Sequence, residues 1–80
     1  MSVKVWLENV RKNKNGTHTA IVRVEGRDAD YEGTAPSRAA AVAGATMEVE
    51  NSFVRGRNGI GSDFFGSEIE PLLNQIKQAQ

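Results

Sequence analysis

Residues 35–55, APSRAAAVAGATMEVENSFVR, are the one long segment whose pattern reads as helix, and the rest of the chain is arranged around it. Ser37 is a natural N-cap, because its hydroxyl can accept from a free N–H of the first turn. Pro36 needs no donor there and discourages an earlier start. Ala39, Ala40, Ala41, Ala43 and Ala45 are strong helix formers. Gly56 supplies the stop, since glycine takes the left-handed conformation that closes a helix. At about 100° per residue, Ala39, Val42, Ala43, Ala45, Met47, Val49, Phe53 and Val54 fall on one broad arc. Gly44, Glu48, Asn51 and Arg55 fall on the other side. The arc is wider than the stripe of a simple surface helix, so it predicts packing on a sheet and on a second element. Glu50 projects into the arc, either reaching out at its rim or serving as a paired carboxylate.

The segments before this helix have period two. Val3, Val5 and Leu7 share one face of a strand over residues 3–10, and Lys4, Trp6, Glu8 and Val10 share the other. Arg11 to Thr17, RKNKNGT, reads as a turn in which Asn15-Gly16 supplies the positive φ angles of a hairpin. In the second strand, His18 to Glu25, the residues Ala20, Val22 and Val24 face one way and Thr19, Ile21, Arg23 and Glu25 the other. Gly26 to Asp28 is a second turn, and Ala29 to Thr34 a short third strand centred on Tyr31. After Gly56 the glycine-rich RNGIGSDFFGS is longer than most loops of small domains, with Ile60, Phe64 and Phe65 expected to pin it. Its glycines follow a helix and lack a lysine–hydroxyl pair, so they are not a phosphate loop. A closing helix follows. It is capped either by Ser67, paired with Glu70 in a capping box, or by Glu70 with Pro71 as first helical residue. Ile69, Leu72, Leu73 and Ile76 form its apolar stripe. The expected fold is α+β, in the order β-β-β-α-α: a three-stranded antiparallel sheet packed by one long helix, plus a short C-terminal helix.

Eighty residues predict a single domain with a small core. The absence of cysteine excludes disulfides, thiolate metal sites and cysteine nucleophiles. The first residues, MSVKVWLENV, hold no apolar run of signal or membrane-span length, and a cytoplasmic protein is expected. Net charge is zero, yet it is unevenly spread. Residues 1–27 carry Lys4, Arg11, Lys12, Lys14, Arg23 and Arg27 against Glu8 and Glu25. Residues 28–50 carry Asp28, Asp30, Glu32, Glu48 and Glu50 against Arg38. Such a split either creates a basic edge on a neutral molecule or lets the halves pair with each other.

Little in the chain points to chemistry. His18 is the one histidine, placed at a strand start with no acidic neighbour in sequence. Asp28, Asp30 and Glu32 alternate but lack the glycine and terminal glutamate of a calcium loop. No serine sits in a nucleophile setting. The sequence therefore predicts no enzyme, no metal and no cofactor. Binding surfaces remain. If Val3, Val5 and Leu7 are core, then Lys4, Trp6, Ile21 and Arg23 line an open sheet face. Trp6 there would stack a base or anchor a protein partner; with the faces inverted, it would be core.

Residues 20–53 resemble the strand–strand–helix half of the double-stranded-RNA-binding domain. The resemblance is carried by Val22-Arg23-Val24-Glu25-Gly26-Arg27, by Tyr31-Glu32-Gly33, and by Ser37-Arg38-Ala39-Ala40-Ala41. Ala41 and Ala45 match the small residues that seat that family's helix on its sheet. Asn15-Gly16-Thr17-His18 echoes the loop that reaches the minor groove and ends in histidine. The family's phosphate-gripping lysines correspond to Arg38, Ala39 and Val42, so one cation is retained. The family's first helix has no counterpart. The resemblance implies nucleic-acid contact through Arg11, Lys12, Lys14, His18 and Arg38. Beside it stands a protein-binding module or homodimer using Lys4, Trp6, Ile21 and Arg23.

Overall fold

The structure, a computed structural model, describes residues 4–54 and 69–80, without the side chains of Phe53 and Val54. Val3, Gly56, Ile60, Phe64, Phe65 and Ser67, and the core role expected of Phe53, lie outside what is described. The chain forms β1 (Val5–Lys12), β2 (His18–Val24), β3 (Tyr31–Ala35), α1 (Arg38–Val54) and α2 (Glu70–Gln78). The sheet is antiparallel, in the order β1-β2-β3. The β-β-β-α-α order and the α+β class are as the periodicity predicts.

β2 is the central strand, and its alternation is the cleanest. Ala20, Val22 and Val24 are buried beneath the helices. β1 departs from strict period two. A bulge between Leu7 and Asn9 puts an extra residue into β1, so that Leu7 pairs with Val22 and Val10 with Ala20. The extra residue reverses the parity of everything after it. Val10, expected on the face of Trp6, therefore packs with Val5 and Leu7 against the core. The strand also runs on through Arg11 and Lys12, which were expected in the turn. The turn shrinks to Asn13–Thr17, closed by Asn13 N–H to Thr17 C=O at 2.7 Å, with Gly16 at φ +89°. Asn15 Oδ1 accepts from the N–H of Thr17, which fixes the turn from within.

α1 lies across β3 and β2, and α2 lies beside it on β1. Ser37 caps α1 as expected: its Oγ accepts from Ala40 N–H at 3.1 Å. Among the described side chains of α1, the buried ones are Ala41, Val42, Ala45, Thr46 and Val49. The arc is thus rotated from the expected one. Ala39 and Met47 are exposed, and Gly44, assigned to the far side, faces Gly33 of β3. Counting glycine as polar hid this, because helix and strand approach most closely where neither carries a side chain. Glu50 is exposed at the rim of α1. α2 begins at Glu70 with Pro71 in its first turn; Ile69 is the N-cap residue, without a side-chain cap bond. Ile69 and Leu73 enter the core, and Leu72 and Ile76 are half-buried. Arg27 donates to the Tyr31 hydroxyl and to Ser52 Oγ, tying the second turn to α1.

Candidate nucleic-acid interface

The antiparallel register gathers the sequence-predicted cations at one end of the sheet. Arg11 is paired across to Thr19 and then Thr34; Lys12 is paired to His18 and then Ala35. Lys14 sits in the turn beyond them, and Arg38 opens α1 three residues after Ala35. Arg11, Lys12, Lys14 and Arg38 are all exposed. Arg11 and Lys12 are neighbours in a strand, so they leave the sheet on opposite faces. The charge therefore wraps the end of the molecule instead of lying on one face.

Among the described residues, the same end holds no acidic partner for these groups. The sequence has no Asp or Glu between Glu8 and Glu25, or between Glu32 and Glu48. Folding brings these two acid-free stretches together, since one holds the β1–β2 turn and the other the β3–α1 junction. Among the described residues, none of Arg11, Lys12 and Lys14 has an ion-pair partner. Arg38 is held in place by Gln80, whose Oε1 accepts from its Nε. That contact brings the end of α2 to the same region, and Lys77, one turn earlier, is an exposed cation the sequence reading missed, in a groove between α1 and α2 that Glu50 and Glu70 also line. The signal for it was the antiparallel return of α2 beside α1, which no local pattern encodes.

His18 is half-buried in the row between Lys12 and Ala35, and its Nδ1 is enclosed without a hydrogen-bond partner among the described residues. It opens β2 beside the turn, and its ring is less exposed than the four cations.

The protein-binding set lies elsewhere. Trp6 is 40% exposed on the face away from the helices, and it pairs with Arg23 across the strands. Its indole N–H donates to Glu8 Oε1 at 2.7 Å. Arg23 is bound to Asp30 at 3.0 Å, and Ile21 is half-buried. Further along this face, Asn13 Nδ2 donates to Thr19 Oγ1, and the Thr19 and Thr34 hydroxyls bond at 3.0 Å. Trp6 is thus surface, and the inverted assignment of the sheet faces is excluded.

The opposite end of the molecule gathers carboxylates together with Arg27, bound to Tyr31 and Ser52, and Arg23, bound to Asp30. A cleft of about 500 Å³ between β3 and α1 is lined by Asp30, Tyr31, Glu32, Glu48, Asn51 and Ser52. The described residues contain no group of three or more His, Cys, Asp or Glu that could hold a metal ion. No described helix is long and apolar enough to cross a membrane. No family model, curated protein or solved structure matches the chain.

Proposed function

We propose that the chain is a small non-catalytic binding module that grips a nucleic-acid backbone through its cationic end. The observation that carries this reading is the gathering of Arg11, Lys12, Lys14 and Arg38 at one end where, among the described residues, no acidic residue accompanies them. On a molecule of zero net charge, such a segregated end orients the approach of a polyanion while Asp30, Glu32 and Glu48 are turned away. The resemblance to the double-stranded-RNA-binding domain favours a duplex, because in that family the corresponding end meets nucleic acid. The four cations sit on a strand end, a turn and a helix start, which suits contact with phosphates and not the reading of base edges.

Phosphate contacts release counterions, so affinity falls with salt by about 0.9 in the log–log slope for each duplex phosphate neutralised. Three or four contacts give a slope of about −3 and weak binding at physiological salt. Replacing Arg11, Lys12 and Lys14 together by serine removes exposed side chains only and should leave the fold intact. With Arg38 alone the slope should flatten to about −1. The test titrates duplex RNA and duplex DNA at two salt concentrations against both proteins. Absence of wild-type binding at low salt ends this reading. Equal binding by the triple variant moves the site elsewhere.

A second reading, a protein-binding face, is favoured by the exposed Trp6. Arg23 and the Trp6 indole are already engaged by Asp30 and Glu8, so that face offers fewer unsatisfied groups than the cationic end.

A further inference from the structure

β1 is an edge strand, and its outer edge has no strand beside it among the described residues. We propose that this edge pairs with the same edge of a second copy, in an antiparallel two-fold ladder centred on Trp6.

The backbone sets the register. Glu25 N–H donates to Lys4 C=O at 2.8 Å, so the polar backbone groups of Lys4 face β2. By the alternation of an antiparallel ladder, those of Trp6 also face β2, and those of Val5 and Leu7 face outward. A ladder on the free edge must use Val5 and Leu7. Placing Trp6 opposite the partner's Trp6 puts Val5 opposite the partner's Leu7, and Leu7 opposite the partner's Val5. Each of these is a hydrogen-bonded pair, so all the outward groups of both residues are used. In the same register Lys4 stands opposite the partner's Glu8, and Glu8 opposite the partner's Lys4. Those pairs and the tryptophan pair are the non-hydrogen-bonded kind, in which side chains lie closest. Opposite charges therefore meet where charge matters most, and two tryptophans meet on the open face. The Lys4 ammonium has no other ion-pair partner among the described residues.

The side chains of Val5 and Leu7 point to the other face, where they are only half-buried. Together with Leu72, Gln75, Ile76, Ala79 and Gln80 they line a mostly apolar groove of about 270 Å³ along this edge. In the two-fold arrangement each copy's Val5 and Leu7 extend the apolar row beside the other copy's groove. One patch thus meets itself, as a two-fold interface requires. The bulge after Leu7 ends the straight part of the edge, so the ladder stops after Lys4 to Glu8 and does not run on.

The experiment is sedimentation equilibrium from micromolar to millimolar protein, with emission of the single tryptophan read on the same samples. Mass should rise from 8.7 kDa towards twice that value, and the emission should shift to the blue as Trp6 is covered. Lys4→Glu and Glu8→Lys alone should each weaken association about tenfold, because the two-fold axis counts every lost pair twice. The double exchange, Lys4→Glu with Glu8→Lys, should bring association back above both single changes, short of wild type by what the lost Glu8 bond to the Trp6 indole contributes. Far-UV circular dichroism checks that each variant is folded; both positions are exposed. A monomer at every concentration overturns the proposal. So does a dimer that neither single change weakens, or one that the double exchange leaves no stronger than the weaker single variant.

Discussion

Gly33→Ala tests the packing on which the whole arrangement depends. Gly33 lies in β3, directly beneath α1. A Cβ built there would stand 2.3 Å from Ala41 C=O, 2.3 Å from Ala45 N and 2.7 Å from the backbone carbon of Gly44. All three are backbone atoms of one helix, so no side chain can rotate away. Ordinary carbon contacts begin near 3.4 Å, so α1 must retreat by about 1 Å or β3 must bend. Retreat would loosen Val42, Ala45 and Val49, which are fully buried on the same side of α1. Overpacking of this kind costs about 1–3 kcal/mol, and a rigid backbone obstacle belongs at the upper end. The reduced entropy of the unfolded alanine chain returns only about 0.4–1 kcal/mol. A net loss of about 2 kcal/mol is expected, from a total of about 4–12 kcal/mol for a chain of this length. That corresponds to a fall of about 10 °C or more in the midpoint of thermal unfolding. Gly44→Ala is the control, because its Cβ would meet only Gly33 Cα, at 3.4 Å. In a helix interior alanine is favoured over glycine by about 1 kcal/mol, so this variant should be neutral or stabilised. Urea melts followed by circular dichroism measure both. If Gly33→Ala lies within about 0.5 kcal/mol of wild type, the close approach of α1 to β3 is wrong.

Two further changes probe the elements that flank this contact. Ile69 is fully buried at the start of α2, so Ile69→Ala should cost about 2–5 kcal/mol in denaturant melts; a loss below about 1 kcal/mol would mean that α2 is not docked. Ser37→Ala removes the cap bond to Ala40 N–H and should cost about 1 kcal/mol, while Ser37→Gly should cost only a few tenths.

The elements legible in the sequence are those governed by local rules. The alternation of β2, the place of Gly16 in the hairpin turn and the Ser37 cap each depend on residues a few positions apart, and each stands as read, although the turn itself is two residues shorter than expected. What escaped depends on the partner across the sheet. The bulge in β1 leaves no mark in the alternation Val5, Leu7, because Asn9 and Glu8 are both polar and either could be the extra residue. Only the pairing of Val10 with Ala20 shows which face Val10 takes. The rotation of α1 has the same origin. Apolar counting favours Ala39 and Met47, whereas the observed face is chosen by Gly33 and Gly44, which let two backbones approach. The candidate cations were legible individually, but their convergence was not. Arg11 and Arg38 are far apart in sequence and meet at one end because β2 and β3 bring the chain back beside the hairpin turn.

The two proposed surfaces occupy different parts of β1, and this separates their tests. Trp6 to Lys12 spans five steps of the paired strand, from Arg23 to His18, about 17 Å at the usual rise. Pairing of two edges around Trp6 therefore leaves Lys12, Lys14 and Arg38 uncovered. It also turns the two cationic ends in opposite directions, because the strands run antiparallel through the axis. Serine at Arg11, Lys12 and Lys14 should change the salt dependence of nucleic-acid binding without changing the sedimentation of the free protein. Charge reversal at Lys4 or Glu8 should do the opposite when binding is measured on dilute protein. A variant that moved both readouts would mean that the surfaces are coupled through the sheet; only then would the bulge at Leu7–Asn9, which lies between them, be the element to examine next.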